Sequence, residues 1–144
     1  MPRTSYLMRK VTPYDLYKQL MEMHHLIDRV AYPSKTISKK YFNEKLKSET
    51  LCELKDDYDN LVGIGLYYIV RKRMVITTFV IDETVRSVGY GKRLIDEMTR
   101  IAIKKKCTII TLSVSAQNPT AQIFYEKDGF TCSSLTMKKE LKDA

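Results

Sequence analysis

Arg86-Ser87-Val88-Gly89-Tyr90-Gly91 places two glycines one residue apart, where a β-rich run over residues 74–81 gives way to an amphipathic helix. Glycines so spaced let the backbone curl tightly without Cβ clashes. The N–H groups of the new helix's first turn can then converge on an anion. The chemistry this suits is a pyrophosphate cradle, which points to a nucleotide-bearing cofactor. A second run, Asn118-Pro119-Thr120-Ala121-Gln122-Ile123-Phe124-Tyr125-Glu126-Lys127-Asp128-Gly129-Phe130, follows downstream. Helical spacing there puts Tyr125 on the face of Ala121 and beside Phe124. A phenol in that position can bond or protonate a departing group, or it can simply anchor the helix.

These groups need elements to hold them. Residues 5–11 read as an opening strand. Thr12-Pro13-Tyr14-Asp15 is a helix start, with a capping threonine, proline in the first turn and an acid at the positive end of the dipole. Leu16, Leu20, Met23, Ile27 and Val30 recur at helical spacing, which predicts a helix to about Val30. Ser38 caps a second helix to about Lys47, with Tyr41, Phe42 and Leu46 inward. Strands follow over 50–55, 61–70 and 74–81, joined by the turn residues 56–60 and the basic turn 71–73, as an antiparallel meander. Leu94, Ile95, Met98, Ile101 and Ala102 form one face of the next helix, and Lys104-Lys105-Lys106 suits its negative end. A buried strand over 109–114, a helix from Asn118 or Pro119 capped by Gly129, and a final strand over 130–141 complete the order β-α-α-β-β-β-α-β-α-β.

A chain of 144 residues, 44% apolar and 29% charged, reads as a single domain, residues 1–144. No run approaches the roughly 20 apolar residues of a membrane span. Met1-Pro2-Arg3-Thr4 lacks the apolar core of a secretory signal, so a cytoplasmic protein is expected, with no membrane partner. Cys52, Cys107 and Cys132 leave zinc no ligand set and read as buried thiols in or beside strands. The net charge of +8 favours anionic partners: a phosphate-bearing cofactor, an acidic peptide or nucleic acid. The basic clusters are scattered without an aromatic-interleaved stripe, which reads as a solvated basic surface.

The two motifs together, in this order of elements, resemble the GNAT superfamily of N-acetyltransferases over nearly the whole chain. The family's cofactor motif, Arg/Gln-x-x-Gly-x-Gly/Ala, is met by Arg86, Gly89 and Gly91, with Ser87 where many members carry another glycine. The second, Asn-x-x-Ala-x-x-x-Tyr-x-x-x-Gly-Phe, is met by Asn118, Ala121, Tyr125, Gly129 and Phe130. The resemblance implies an α/β (α+β) fold with a mixed, mostly antiparallel sheet of about six strands and about four helices. It implies acetyl-CoA as co-substrate, with its pyrophosphate on the N–H groups of Val88, Gly89, Tyr90, Gly91 and Lys92. It implies a pantetheine arm along Phe79, Val80 and Ile81, and the Ile81 N–H polarising the thioester carbonyl. Arg86, Ser87, Asn118, Ala121 and Phe124 join the cofactor site, and Tyr125 serves the leaving thiolate.

The implied reaction is acetyl transfer to a primary amine by direct attack in a ternary complex. A lysine-like amine with a pKa of ~10.4 is only about 0.1% neutral near pH 7.4, a deficit of roughly 4 kcal/mol, so a base or an ordered water is needed. Glu53, Asp82, Glu83, His24, His25, or a water held by Thr77, Thr78 or Tyr68, all remain open. The acceptor is an amine-bearing small molecule, peptide or protein, with nucleic acid entering only as charged tRNA. Family members are often dimers, so a homodimer is compatible. The alternatives are a non-catalytic acyl-CoA-binding module and a toxin-like acetyltransferase acting on aminoacyl-tRNA.

Overall fold

The computed structural model describes residues 10–141. These fall into two compact units, one ending at Ser113 and the other beginning at Val114.

In the first unit, helix α1 spans Pro13–Ile27. Its start is a reciprocal cap: the Asp15 N–H donates to Thr12 Oγ1 at 3.2 Å, and the Thr12 N–H donates to Asp15 Oδ2 at 2.8 Å. Its end falls short of Val30, because Asp28 Oδ1 accepts the N–H groups of Val30 (3.2 Å) and Ala31 (3.0 Å). A side chain that captures those donors turns the chain out of the helix. Val30 is 92% exposed as a result. Helix α2, Lys39–Lys45, is capped by Ser38 as expected but buries only Phe42, while Tyr41 and Leu46 are exposed. Tyr14 and Tyr17 of α1 reach across to the 3-10 turn that leads into α2, Ser34–Ile37, donating to the Ile37 and Thr36 carbonyls at 2.7 Å each.

The sheet has strands β1 Thr50–Lys55, β2 Leu61–Val70, β3 Arg73–Ile81 and β4 Ile109–Leu112, in that spatial order. The first three are antiparallel and β4 runs parallel to β3. One face carries α1, where Leu16, Tyr17, Met21, Phe42, Ile64 and Leu66 form a core. The other carries helix α3, Tyr90–Lys104, which buries Leu94, Ile95, Met98 and Ala102. Its approach is close: a Cβ on Gly65 would lie 2.5 Å from Met98 Sδ.

Four strands are present among the described residues, not about six, and the strand order differs from the expected one. Of the expected opening strand, residues 5–9 lie outside the described residues, and 10 and 11 are not in a strand. The expected final strand over 130–141 makes no ladder. Its residues from 131 on are exposed, with Leu135 at 81% and Met137 at 89%, and its serine- and lysine-rich composition has little β-propensity. Strand β4 is shorter than expected and only half-buried. Of the cysteines, Cys52 is buried, Cys107 half-buried and Cys132 exposed.

Helix α3 ends in a Schellman motif: the Lys106 N–H donates to Ile103 O at 3.0 Å and the Cys107 N–H to Ala102 O at 2.9 Å. Lys106 occupies the left-handed position, φ +66°, where glycine is the usual residue. Lys106→Gly is therefore expected to raise the unfolding free energy by up to about 1 kcal/mol, read as a higher urea midpoint at unchanged slope.

The second unit holds helix α4, Pro119–Lys127.

Candidate functional site

Strand β3 carries a bulge. Leu66 of β2 faces Thr78, but its neighbour Tyr67 faces Ile76, so Thr77 is the extra residue. The parallel ladder to β4 covers Arg73 through Ile76 and stops at the bulge, whereas the ladder to β2 continues to Ile81. A bulge bends its strand and sharpens the local twist, and the pairing with β4 ends beside it.

The backbone then sorts the three expected cofactor residues of this strand. The Asp82 N–H donates to Val62 O at 2.8 Å, which makes Val62 and Asp82 a hydrogen-bonded pair. Alternation along an antiparallel ladder turns the peptide groups of Val80 toward β2 and those of Phe79 and Ile81 toward the other edge. The Ile81 carbonyl confirms the direction, since it accepts from Arg86 Nε at 3.2 Å. Val80 instead buries its side chain, leaving it 3% exposed.

The chain leaves β3 through a clamp that sequence reasoning missed. Gln19 of α1 donates from Nε2 to Asp82 Oδ1 at 3.3 Å, and its Oε1 accepts the Glu83 N–H at 3.2 Å. Asp82 also accepts the Thr84 N–H at 3.2 Å, capping a short 3-10 turn, Glu83–Val85. The loop beyond alternates in hand: Ser87 has φ +70° and Gly89 φ +90°, with Val88 between them. Such alternation curls successive N–H groups into an anion-binding nest. Helix α3 begins directly after, with no side-chain cap at Gly89. Its first internal bond is Arg93 N–H to Gly89 O at 3.2 Å, so the Tyr90 and Gly91 N–H groups have no helical acceptor. The two cations of this turn are accommodated: Lys92 Nζ bonds Asp96 Oδ1 at 2.7 Å, and the Arg93 guanidinium lies 5.6 Å from the Tyr90 ring centroid.

In the second unit, Asn118 Oδ1 accepts the Ala121 N–H at 3.1 Å and so caps α4. The helix closes in another Schellman motif, with Gly129 N–H to Glu126 O and Phe130 N–H to Tyr125 O, both 3.0 Å, and φ +99° at Gly129. That closure brings Phe130 against Tyr125. Tyr125 is gripped edge-on by Phe124 at 5.2 Å and by Phe130 at 5.5 Å between ring centroids. Burial pushes its phenol above the usual tyrosine range.

The candidate bases divide sharply. Asp82 is 2% exposed and committed as a cap, whereas Glu53 and Glu83 are exposed. His24 stacks on Tyr32 at 4.6 Å, and burial pushes its imidazole down. His25 Nδ1 meets Tyr32 O at 2.6 Å. Tyr68 is 40% exposed, and Thr78 Oγ1 is buried without a partner. Thr77, at the bulge, donates to the carboxylate of Glu49, which Lys45 also holds at 3.0 Å. Glu49 is a carboxylate that spacing could not place, because it meets the bulge from a distant segment. No cluster of three or more His, Cys, Asp or Glu fit to hold a metal occurs among the described residues. Nor is any described helix long and apolar enough to cross a membrane.

The profile of the Acetyltransferase (GNAT) family matches residues 15–130. No curated protein matches the sequence. A mutant BH1408 protein from Bacillus halodurans superposes with a TM-score of 0.78 at 22% identity, over 92% of this chain and 98% of that one. The PaiA N-acetyltransferase of Thermoplasma acidophilum, solved with coenzyme A, gives 0.72 at 16% identity, over 89% and 91%. A GNAT family acetyltransferase from Elizabethkingia anophelis, solved with acetyl-CoA, gives 0.66 at 20% identity, over 93% and 76%. At these identities the likeness is one of fold.

Proposed function

This chain belongs to the GNAT family of acetyltransferases, and from that premise we propose that it moves an acetyl group from acetyl-CoA to a primary amine in a ternary complex. One observation carries the reading: the β4 ladder ends at Ile76, and the edge peptide groups of Phe79 and Ile81 lead straight into the nest at Ser87–Gly89 and the uncapped start of α3. An edge that offers amide groups beside a cradle for anions matches a ligand with a peptide-like arm and a diphosphate. Two similar structures hold acetyl-CoA or coenzyme A, which supports the same ligand here.

In this reading the N–H groups of Val88 through Lys92 bind the diphosphate, with Arg86 and Ser87 shaping the loop. The pantetheine arm lies along β3, and the Ile81 N–H donates to the thioester carbonyl. Val80 supports the edge from the core rather than by its own peptide groups. Asn118, Ala121 and Phe124 line the coenzyme. The amine nitrogen attacks the thioester carbon, and the carbonyl oxygen gathers negative charge that the Ile81 donor stabilises. The C–S bond then breaks, Tyr125 gives its proton to the sulfur, and the proton that the nitrogen loses to water or a base restores the phenol. Burial raises the Cys52 thiol, which disfavours a thiolate nucleophile at that residue. The acceptor is an amine-bearing small molecule, peptide or protein, and residues 1–144 act as one acetyltransferase domain.

Thiol release from acetyl-CoA, followed against polyamines, peptide N-termini and lysine peptides, tests this. Amine-dependent release with intersecting initial-rate plots is expected; coenzyme binding with no turnover on any amine would contradict it. The pH profile gives a second check. A raised phenol pKa means the donor form persists where an ordinary tyrosine would ionise, near pH 10. The rate should therefore climb with amine deprotonation from pH 7 and show no alkaline fall by about pH 10.5. A descending limb centred near 10 would remove Tyr125 from the donor role.

A further inference from the structure

Two basic runs that are far apart in the sequence meet at one end of the sheet. The Thr108 N–H donates to Lys72 O at 2.7 Å, and Arg73 faces Ile109 across the parallel ladder. This seats the turn Arg71-Lys72-Arg73 beside the end of α3, Lys104-Lys105-Lys106. A cleft of about 470 Å³ opens there, lined by Val70, Arg71, Lys72, Arg73, Thr108 and Ile109. All six cations are exposed. Elsewhere Lys18, Lys45, Lys47, Lys55 and Lys92 pair with carboxylates, but among the described residues none of these six does. The acids of adjoining segments are already engaged, Glu97 by Arg100 and Glu49 by Lys45 and Thr77.

Six unpaired like charges repel one another, and an anionic partner relieves that repulsion. Aliphatic side chains decide which anion fits. Val70 is 42% exposed and Ile109 54%, and both line the cleft. A phosphodiester backbone offers these groups nothing, and no aromatic ring lines the cleft for a base to stack on. An anionic bilayer is flat, whereas this surface is concave. We propose that the cleft and the adjoining end of α3 dock an extended acidic peptide whose carboxylates meet Arg71–Arg73 and Lys104–Lys106 while interleaved aliphatic side chains cover Val70 and Ile109. The site is separate from the acetyl-transfer machinery and does not depend on it.

Fluorescence anisotropy with the full chain tests this, using two labelled 12-residue peptides and a 20-nucleotide single-stranded RNA. Both peptides carry six Asp or Glu; one has Leu and Val between them and the other has Ser. The acidic-aliphatic peptide should bind about tenfold tighter than the acidic-serine one. Its affinity should fall several-fold or more between 50 and 200 mM salt as the charges are screened. Lys72→Glu combined with Lys105→Glu should weaken it at least about 20-fold, with the thermal midpoint and acetyl-CoA affinity unchanged. Tighter binding of RNA than of either peptide would make the cleft a nucleic-acid site instead. Equal affinity for the two peptides, indifference to the charge reversal, or no binding at all would each overturn the proposal.

Discussion

Tyr125→Phe is expected to lower kcat by about 100- to 1,000-fold while the acetyl-CoA dissociation constant stays within about threefold of the parent's. The size follows from the leaving group. A departing thiolate is stabilised by a proton donor, and the phenol is the donor assigned to it. The selectivity follows from packing, because phenylalanine keeps the ring that meets Phe124 and Phe130 edge-on and removes only the hydroxyl. Thermal unfolding of the variant should therefore differ little from the parent's. An equal loss in kcat and in coenzyme affinity would mean that the hydroxyl binds rather than donates.

Gly91→Val is expected to raise the acetyl-CoA dissociation constant by about 10- to 100-fold without lowering stability by more than about 0.5 kcal/mol. Gly91 lies inside α3 with no left-handed φ, so the backbone does not require glycine there. Glycine in a helix costs about 1 kcal/mol against alanine, and valine is no worse a helix former. What glycine permits is the close approach of a diphosphate to the first-turn N–H groups, and loss of one or two such charge-assisted bonds gives the stated range. Gly89→Ala should behave differently. With φ at +90° and nothing within 4 Å of an added Cβ, its cost is backbone strain, so stability and affinity should fall together. Calorimetry and denaturant titration on both variants separate the two effects.

What the sequence discloses here is chemistry that is local in the chain. The Thr12 and Asp15 cap, the helix start at Asn118–Pro119 and the Gly129 stop each depend on residues close in the chain, and each forms as read. The glycine loop was legible for the same reason, though Ser87 in a left-handed conformation was not, because serine carries no such signal. The bulge at Thr77 was hidden, since residues 74–81 are apolar or threonine throughout and show no alternation to slip. The end of the β3–β4 ladder beside it was therefore invisible too. Gln19 and Glu49 escaped notice because their partners, Asp82 and Thr77, come from other elements. The misread final strand shows the converse error: an apolar residue here and there over 130–141 suggested a ladder that no partner completes. The two basic runs looked scattered because what joins them, the Thr108–Lys72 bond and the Arg73–Ile109 pairing, spans more than thirty residues of sequence.

Amide chemical shifts of the isotopically labelled chain, followed as acetyl-CoA is titrated in, address the central claim most directly. Saturable shifts concentrated on the N–H groups of Ile81 and Val88 through Lys92 are expected, because these are the donors assigned to the thioester and the diphosphate. Saturation with those amides unmoved and the perturbed set elsewhere would place the coenzyme in another pocket and contradict the account.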